Sequence, residues 1–175
     1  MRNKAGMIGC AAALLIAGFV AQNVISSRFG RPTTKGMDSY EVINAYYDAF
    51  SVLDHTFMEA CIWGADKIDI DVAINYYVIY KVRQANEIKT GPLIVSAKVW
   101  KERGGELPAP DVFGITGLSI IHLSGNEDES RINYRVNYTL WFPNETVPSI
   151  RSDELTLMRN KKRNWQIIEI ERTIK

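Results

Sequence analysis

The sequence predicts an α+β domain in which N-terminal helices pack on one face of a curved antiparallel sheet of four to five strands. Between residues 38 and 61, apolar side chains recur mostly every three or four positions, the spacing of one helix face. From residue 112 onward they recur mostly every second position, and short polar turns separate the runs. Helices followed by consecutive strands are typical of an α+β fold.

The composition limits the classes of function. A length of 175 residues suits one globular domain with an appendage, and 46% hydrophobic residues suffice for a core. The 21 basic and 20 acidic residues nearly cancel, so the sequence lacks the basic excess of a nucleic-acid binder. Its two cysteines, Cys10 and Cys61, fall in different predicted elements. We therefore expect neither a disulfide framework nor a metal site, and no cofactor.

An apolar segment begins the chain. Residues 5–27 carry no charge and follow Arg2 and Lys4. About 20 apolar residues rising ~1.5 Å each can cross a hydrocarbon core of ~30 Å. We therefore expect residues 5–25 to contact a bacterial inner membrane as a single-pass anchor, with the domain in the periplasm. Cleavage after Ser26, which would release the domain into the periplasm, remains open.

The chain is predicted to comprise three segments. Residues 1–27 form the anchor or signal segment, residues 28–37 form a polar linker containing Gly, Pro and Thr, and residues 38–175 form the domain. Asp38 is predicted to cap the first helix, because Glu41 follows three residues later in a capping-box pattern.

The first helix is predicted to run unbroken to Gly64. Its apolar stripe comprises Ile43, Tyr46, Tyr47, Phe50, Leu53, Phe57, Met58 and Cys61. At ~100° per residue, Asp54 lies ~40° from Phe50 and therefore inside the stripe, whereas His55 falls on the polar flank. The two side chains point apart, which makes an Asp–His catalytic pair geometrically poor. A carboxylate inside the stripe needs a partner.

The second helix is predicted from an ambiguous pattern. Every even position from Ile68 to Val82 is apolar, which by itself indicates a strand. A strand of ~15 residues would be long, where ~5–6 is typical, so we predict a helix that packs on two sides. Asp66 or Asp69 is expected to cap it, and residues 90–92, Thr-Gly-Pro, to end it.

Arg83 is the predicted partner of Asp54. It falls on the same face of the second helix as Val72 and Tyr76. An Asp54–Arg83 ion pair between the helices is the favoured interpretation. The alternative is a pocket carboxylate that acts as an acid or base, since an apolar setting raises the pKa of a carboxyl group.

The remaining chain is predicted to form strands joined by short turns. The strands are 93–100, 112–125, 131–142, 150–159 and 165–174, and the turns include 126–130 and 160–164. In the third of these strands, the residues from Ile132 to Phe142 at even positions are apolar and are expected to face the core. In the second strand, Ile121 and Leu123 are expected to face inward and His122 outward.

Residues 38–175 resemble the NTF2-like superfamily, which includes SnoaL-like proteins. The resemblance lies in the helix SYEVINAYYDAFSVLDHTFMEAC and in the strands RINYRVNYTLWFP and RSDELTLMRNKKRNWQIIEIER. It implies helices that close the mouth of a cone whose wall is a bent sheet. A membrane helix before such a domain is similar in architecture to VirB8-like secretion components, with no shared motif.

The resemblance supports fold more than function, because the superfamily contains isomerases, dehydratases, ligand binders and assembly domains. The leading hypothesis is a non-enzymatic binding or assembly module, with a homodimer or a membrane-complex partner implied. The alternative is a small SnoaL-like or ketosteroid-isomerase-like enzyme, or a binder of an apolar small molecule, with Asp54 as the candidate catalytic group. The candidate pocket residues are Tyr46, Tyr47, Phe50, Asp54, Phe57, Tyr76, Arg83 and Trp100.

Overall fold

The structure is a computed structural model that describes residues 32–86, 94–109 and 111–174. The chain divides into two units, Met1–Pro32 and Thr33–Lys175, and the second begins inside the predicted linker. The predicted anchor, residues 5–25, lies outside the described residues. Within the described ranges, no helix has both the length and the apolar character that a membrane crossing requires.

The described part of the second unit contains four helices and five strands. The helices are α1 (Ser39–Ser51), α2 (His55–Cys61), α3 (Ile68–Asn86) and α4 (Ala97–Glu102). The strands are β1 (Val95–Ser96), β2 (Val112–Ser124), β3 (Arg131–Trp141), β4 (Ser149–Arg159) and β5 (Trp165–Ile174). They form one sheet in the order β1-β2-β3-β4-β5, in which β1 is parallel to β2 and every other pair is antiparallel. The α+β prediction is confirmed, and β2 to β5 match their predicted bounds to within one residue at each end.

α1 begins as the sequence predicts. The Glu41 amide donates to Asp38 Oδ1 at 2.7 Å, and the Asp38 amide donates to Glu41 Oε2 at 2.9 Å. These reciprocal bonds form a capping box and satisfy two amides at the start of the helix.

The prediction of one unbroken helix from Asp38 to Gly64 is wrong. α1 ends at Ser51, Leu53 adopts a positive φ of 61°, and α2 begins after Asp54. The Asp54 side chain accepts a hydrogen bond from the Phe57 amide at 3.0 Å and so caps α2. The helix breaks here because an aspartate side chain competes with the helix for backbone amides. The break lets Leu53 turn into the core, while Val52 stays 62% exposed.

The predicted strand 93–100 is also wrong in part. Of its described residues, 94–100, only Val95–Ser96 pair with β2, and α4 begins at Ala97. The Ser96 hydroxyl accepts from the Val99 amide at 3.4 Å, which starts a helix inside a β-rich run. Ala97 is fully buried, so the helix is held against the domain.

The strands present alternate faces, and their inner face carries the core. In β3, Ile132, Val136 and Leu140 are buried, as predicted from the alternation. The helices cover this face, where Phe50 of α1 packs edge-on against Phe113 of β2 at 5.5 Å between ring centroids, and Tyr76 of α3 packs against Phe113 at 5.1 Å.

The predicted orientation of β2 is wrong at its C-terminal end. A register shift between Thr116 and Ser119 places one extra residue in β2, which bends the strand and reverses the faces beyond it. His122 therefore lies opposite Tyr134 on the side of the sheet that carries the core, but at the end of the strand its side chain is still exposed; Ile121 and Leu123 are 45% and 40% exposed.

Ser51 joins the end of α1 to the edge of β2, and we expect its hydroxyl to stabilise the fold. It is 7% exposed, donates to the Tyr47 carbonyl at 2.9 Å and accepts from the Ile115 amide at 3.3 Å. Ser51→Ala leaves that amide without its acceptor and should lower the free energy of unfolding by ~1–3 kcal/mol. Urea denaturation of the full chain measures this, with Ser119→Ala on the exposed part of β2 as control. Equal effects of the two substitutions would contradict the prediction.

Candidate functional site

Polar and charged side chains meet between the helices and the inner face of the sheet, where apolar residues are expected. We call them the interior polar cluster: Tyr46, Tyr47, Asp69, Tyr138, Arg151, Asp153 and Arg172. Alternation along β4 places Arg151 and Asp153 on the same face as the buried Leu155 and Leu157. The β4–β5 register then sets Asp153 directly opposite Arg172.

Asp69 of α3 is the centre of the cluster. Its side chain is 0% exposed. Arg172 Nη2 lies 2.7 Å from its Oδ2 atom, and Arg151 Nη1 lies 3.3 Å from its Oδ1 atom. The Tyr46 hydroxyl lies 3.4 Å from Oδ2, a longer contact. Asp69 thus connects α3 to both C-terminal strands.

Asp153 is the second buried carboxylate. Its Oδ2 atom accepts hydrogen bonds from the Tyr47 hydroxyl at 2.7 Å and from the Tyr138 hydroxyl at 2.8 Å. Its Oδ1 atom lies 3.5 Å from Arg172 Nε, an ion pair without hydrogen-bond geometry. Arg172 therefore bridges the two aspartates.

Burial dominates the electrostatics of the cluster. It raises the pKa of Asp69 from 3.8 to about 6, an effect that Arg172 opposes, Asp153 reinforces and Arg151 opposes. Although burial acts to lower the pKa of Arg172, the two aspartates outweigh it and raise that pKa. The two carboxylates and two guanidinium groups balance in charge when all four are ionised.

The three tyrosines act as hydrogen-bond donors rather than as acids. Burial, followed by the neighbouring aspartates, raises the pKa of Tyr46 and of Tyr47 well above the usual value. Burial, followed by Asp69 and Asp153, also raises the pKa of Tyr138. Their hydroxyls stay protonated at neutral pH and donate to the carboxylates.

Access to the cluster is closed. Asp69 and Asp153 are 1% and 0% exposed, so neither carboxylate meets solvent. Two cavities of about 610 Å³ and 430 Å³ lie along α1 and α4. Tyr47 of the cluster lines the 430 Å³ cavity, but neither cavity is lined by an aspartate or arginine of the cluster. In the described ranges, no three His, Cys, Asp or Glu side chains are grouped to hold a metal ion.

The structure separates the predicted pocket residues. Tyr46, Tyr47 and Phe50 are buried in the core, and the two tyrosines belong to the interior polar cluster. Tyr76 packs against Phe113 and Phe142 instead. Phe57 is half-buried and lines the 610 Å³ cavity on the outer side of α1.

Asp54 is not a buried carboxylate inside a stripe, because the helix breaks before it. It is exposed, caps α2 and also lines the outer cavity. The predicted Asp54–Arg83 pair is wrong, since Arg83 Nη1 lies 3.3 Å from Asp111 Oδ1. Trp100 lies in α4, where its indole N–H donates to the Glu106 carbonyl at 2.8 Å, away from the cluster.

The sequence interpretation missed the charged members of the cluster, although a signal was present. Arg151 and Asp153 interrupt the apolar positions of β4, and Arg172 interrupts those of β5 after Ile170. Charged residues at inward positions of neighbouring strands indicate a buried network, because an isolated buried charge would be strongly unfavourable. The position of Asp69 at the start of α3 indicates a helix cap and gives no sign of a buried ion pair.

Comparisons with known proteins leave the family open. No protein-family model matches the chain, and no curated protein matches it. One solved structure, described as a calcium/calmodulin-dependent protein kinase type II association domain from Thiobacillus denitrificans, is 16% identical with a TM-score of 0.40. The match covers 82% of this chain and 96% of that chain. Similarity at this level assigns neither a fold family nor a function.

Asp69 should make the free energy of unfolding depend on pH. Its pKa is 3.8 unfolded and about 6 folded, so the folded state binds the proton more tightly between these values. The contribution of Asp69 to the free energy of unfolding therefore falls by up to ~3 kcal/mol as the pH rises from about 4 to above about 6. Urea denaturation across that range should show this decline for the wild type relative to Asp69→Asn.

Glu127→Gln is the control variant, because Glu127 should give stability the opposite dependence on pH. Although burial acts to raise the Glu127 pKa, hydrogen bonds from Ser39 outweigh it and lower the pKa. Stability from Glu127 is therefore lost as the pH falls, and the substitution should remove that loss. If wild type gained stability relative to Asp69→Asn as the pH rose, the guanidinium groups would dominate burial and the prediction would be wrong.

Proposed function

We propose that this chain is a non-enzymatic binding or assembly module with an NTF2-like fold, held at the extracytoplasmic face of a bacterial inner membrane by residues 5–25. The domain interior serves stability in this proposal, and the outer surfaces of the helices and sheet serve recognition. The tether is supported by the uncharged run of residues 5–27 behind Arg2 and Lys4.

The closed interior is the observation that supports a non-enzymatic role. A binding pocket needs concave apolar space with a few polar groups that point into it. Here the polar groups point at one another: Asp69 contacts Arg151 and Arg172, and Asp153 accepts from two tyrosines. Asp153 Oδ1 and Arg172 Nε make no hydrogen bond, but they face each other as an ion pair at 3.5 Å, so the cluster has little left to offer a ligand.

A second candidate is favoured by the pKa of Asp69. A carboxyl group whose pKa is raised to about 6 is suited to general acid–base catalysis near neutrality, and tyrosine hydroxyls stand beside it. This enzyme or ligand-binding alternative requires the helices to move away from the sheet, because Asp69 is 1% exposed. The non-enzymatic proposal needs no such opening.

Fractionation of cells tests the tether. The full chain, expressed in a bacterium with alkaline phosphatase at its C-terminus, should stay in the membrane fraction after carbonate washing and show phosphatase activity, which requires export. Its intact mass should include residues 1–26. A soluble, active periplasmic product that lacks about 26 residues would support signal cleavage instead. Membrane-bound but inactive phosphatase would refute the extracytoplasmic location.

Native mass spectrometry tests the interior. The full chain, purified without denaturation, should carry no small molecule, because the interior polar cluster is closed. Tyr138→Phe removes one donor to Asp153 and should lower stability by ~1–3 kcal/mol without changing the ligand-free mass. A bound molecule that is released by Tyr138→Phe, but retained by the outer-face control Asn137→Ala, would support the ligand-binding alternative.

A further inference from the structure

The C-terminal half of α3 has apolar side chains exposed. The buried residues of α3 are Asp69, Ile70 and Ala73, all in its first two turns. Of the described side chains beyond Ala73 in this helix, none is fully buried. Val78 and Val82 are 50% and 53% exposed. A helix normally covers such a face with another element, so this surface is suited to a partner.

One side of this helix has the spacing of a helix–helix seam. Five residues, which we call the α3 seam, follow one another at intervals of three, four, three and four: Asp71, Ile74, Val78, Lys81 and Ala85. Alternating intervals of three and four keep side chains on one line facing a second helix. Ile74 is half-buried and the other four are exposed. The seam therefore lies at the edge of the domain and is accessible.

The charges of the seam select its partner. Asp71 and Lys81 stand on either side of Ile74 and Val78. If two copies of α3 cross antiparallel with residue 76 at the twofold axis, Asp71 faces the partner's Lys81 and Ile74 faces the partner's Val78. The Asp71–Lys81 ion pair occurs twice by symmetry, and its two copies flank a central apolar layer. A parallel arrangement would set like charges opposite each other, which is unfavourable.

The Lys81 side chain of the seam lies against two aromatic rings of its own helix. Its Nζ atom lies 5.4 Å and 5.5 Å from the ring centroids of Tyr77 and Tyr80. Such cation–π contacts limit the positions open to the ammonium group and keep it along the helix. Asp71 also disfavours a lipid surface as the occupant, because anionic headgroups repel a carboxylate at the N-terminal end of the contact face.

We propose that two copies of this chain associate through the α3 seam in an antiparallel pair. The inference rests on the proposed assembly function and names one partner for it, a second copy. A contact of a few helical turns is small, so we expect a dimer that dissociates on dilution in the micromolar range.

Charge exchange tests the pairing in the full chain. Asp71→Lys and Lys81→Asp each place like charges across the seam and should raise the dimer dissociation constant at least tenfold. The double variant with both substitutions restores opposite charges and should return to within about threefold of wild type. Sedimentation velocity in density-matched detergent measures the constants. Val147→Asp, at a 74% exposed loop position, is the control and should leave them unchanged.

The double variant distinguishes a facing ion pair from a structural effect of the single substitutions. Recovery can arise only if the two positions face each other, whereas a structural effect of either substitution would persist in the double variant. Single variants that dimerise like wild type, or a double variant no better than the singles, would overturn the proposal. Circular dichroism of each variant verifies that the helices are intact.

Cross-linking gives the orientation independently. In a Cys10→Ser background, Asp71→Cys and Lys81→Cys proteins are treated with a short bis-maleimide, separately and mixed. Cys61 is buried and burial raises its thiol pKa to about 12, so it should not react. The mixture should cross-link, whereas each protein alone should not, since equivalent positions lie ~15 Å apart along the axis. Cross-linking of either protein alone would indicate a parallel pair, and the absence of cross-linking in the mixture would favour a lipid surface; both results contradict the proposal.

The localisation and native-mass experiments measure different quantities from these tests, so a failed assembly function and a failed α3 seam are distinguishable.

Discussion

The buried ion cluster of Asp69, Asp153 and Arg172 is the constraint on which the arrangement of helices and sheet depends. Arg172 lies 2.7 Å from one aspartate and 3.5 Å from the other, and the aspartates belong to different elements, α3 and β4. Removing the Arg172 guanidinium would leave two buried carboxylates without their shared partner, which is strongly unfavourable. Packing of apolar side chains would tolerate several positions of α3, but this geometry tolerates few.

The same cluster determines what the interior can do. Catalytic carboxylates need access to a reacting atom, and pocket groups need unused hydrogen-bonding capacity. Asp69 and Asp153 face arginines and tyrosines inside the domain, and the one Asp153 oxygen without a hydrogen bond lies 3.5 Å from Arg172. Our proposal therefore places recognition at the surface, where α3 exposes apolar residues beyond Ala73. A domain held near a membrane would meet other copies of itself at high effective concentration, which compensates for a small contact.

Local and tertiary preferences compete at the α1–α2 break. The apolar spacing from Ile43 to Cys61 suits one continuous helix, and sequence periodicity alone cannot distinguish a straight helix from two that meet at a corner. Asp54 can cap a helix or lie inside one, and the choice depends on whether Leu53 gains more burial by turning inward. In the structure Leu53 is 6% exposed, so burial decides for the corner.

The sequence by itself determined the α+β class, the start of α1, the identity of α3 as a helix and the bounds of the four long strands. These features depend on periodicity, on capping contacts within three residues and, for α3, on an apolar run too long for a typical strand, all of which are local. The tertiary structure decided which side chains meet. The extra residue of β2 reversed the face of His122, and the β4–β5 register brought Asp153 to Arg172. Alternation gives the face of a residue but not its neighbour, because strand register depends on contacts between residues far apart in the chain.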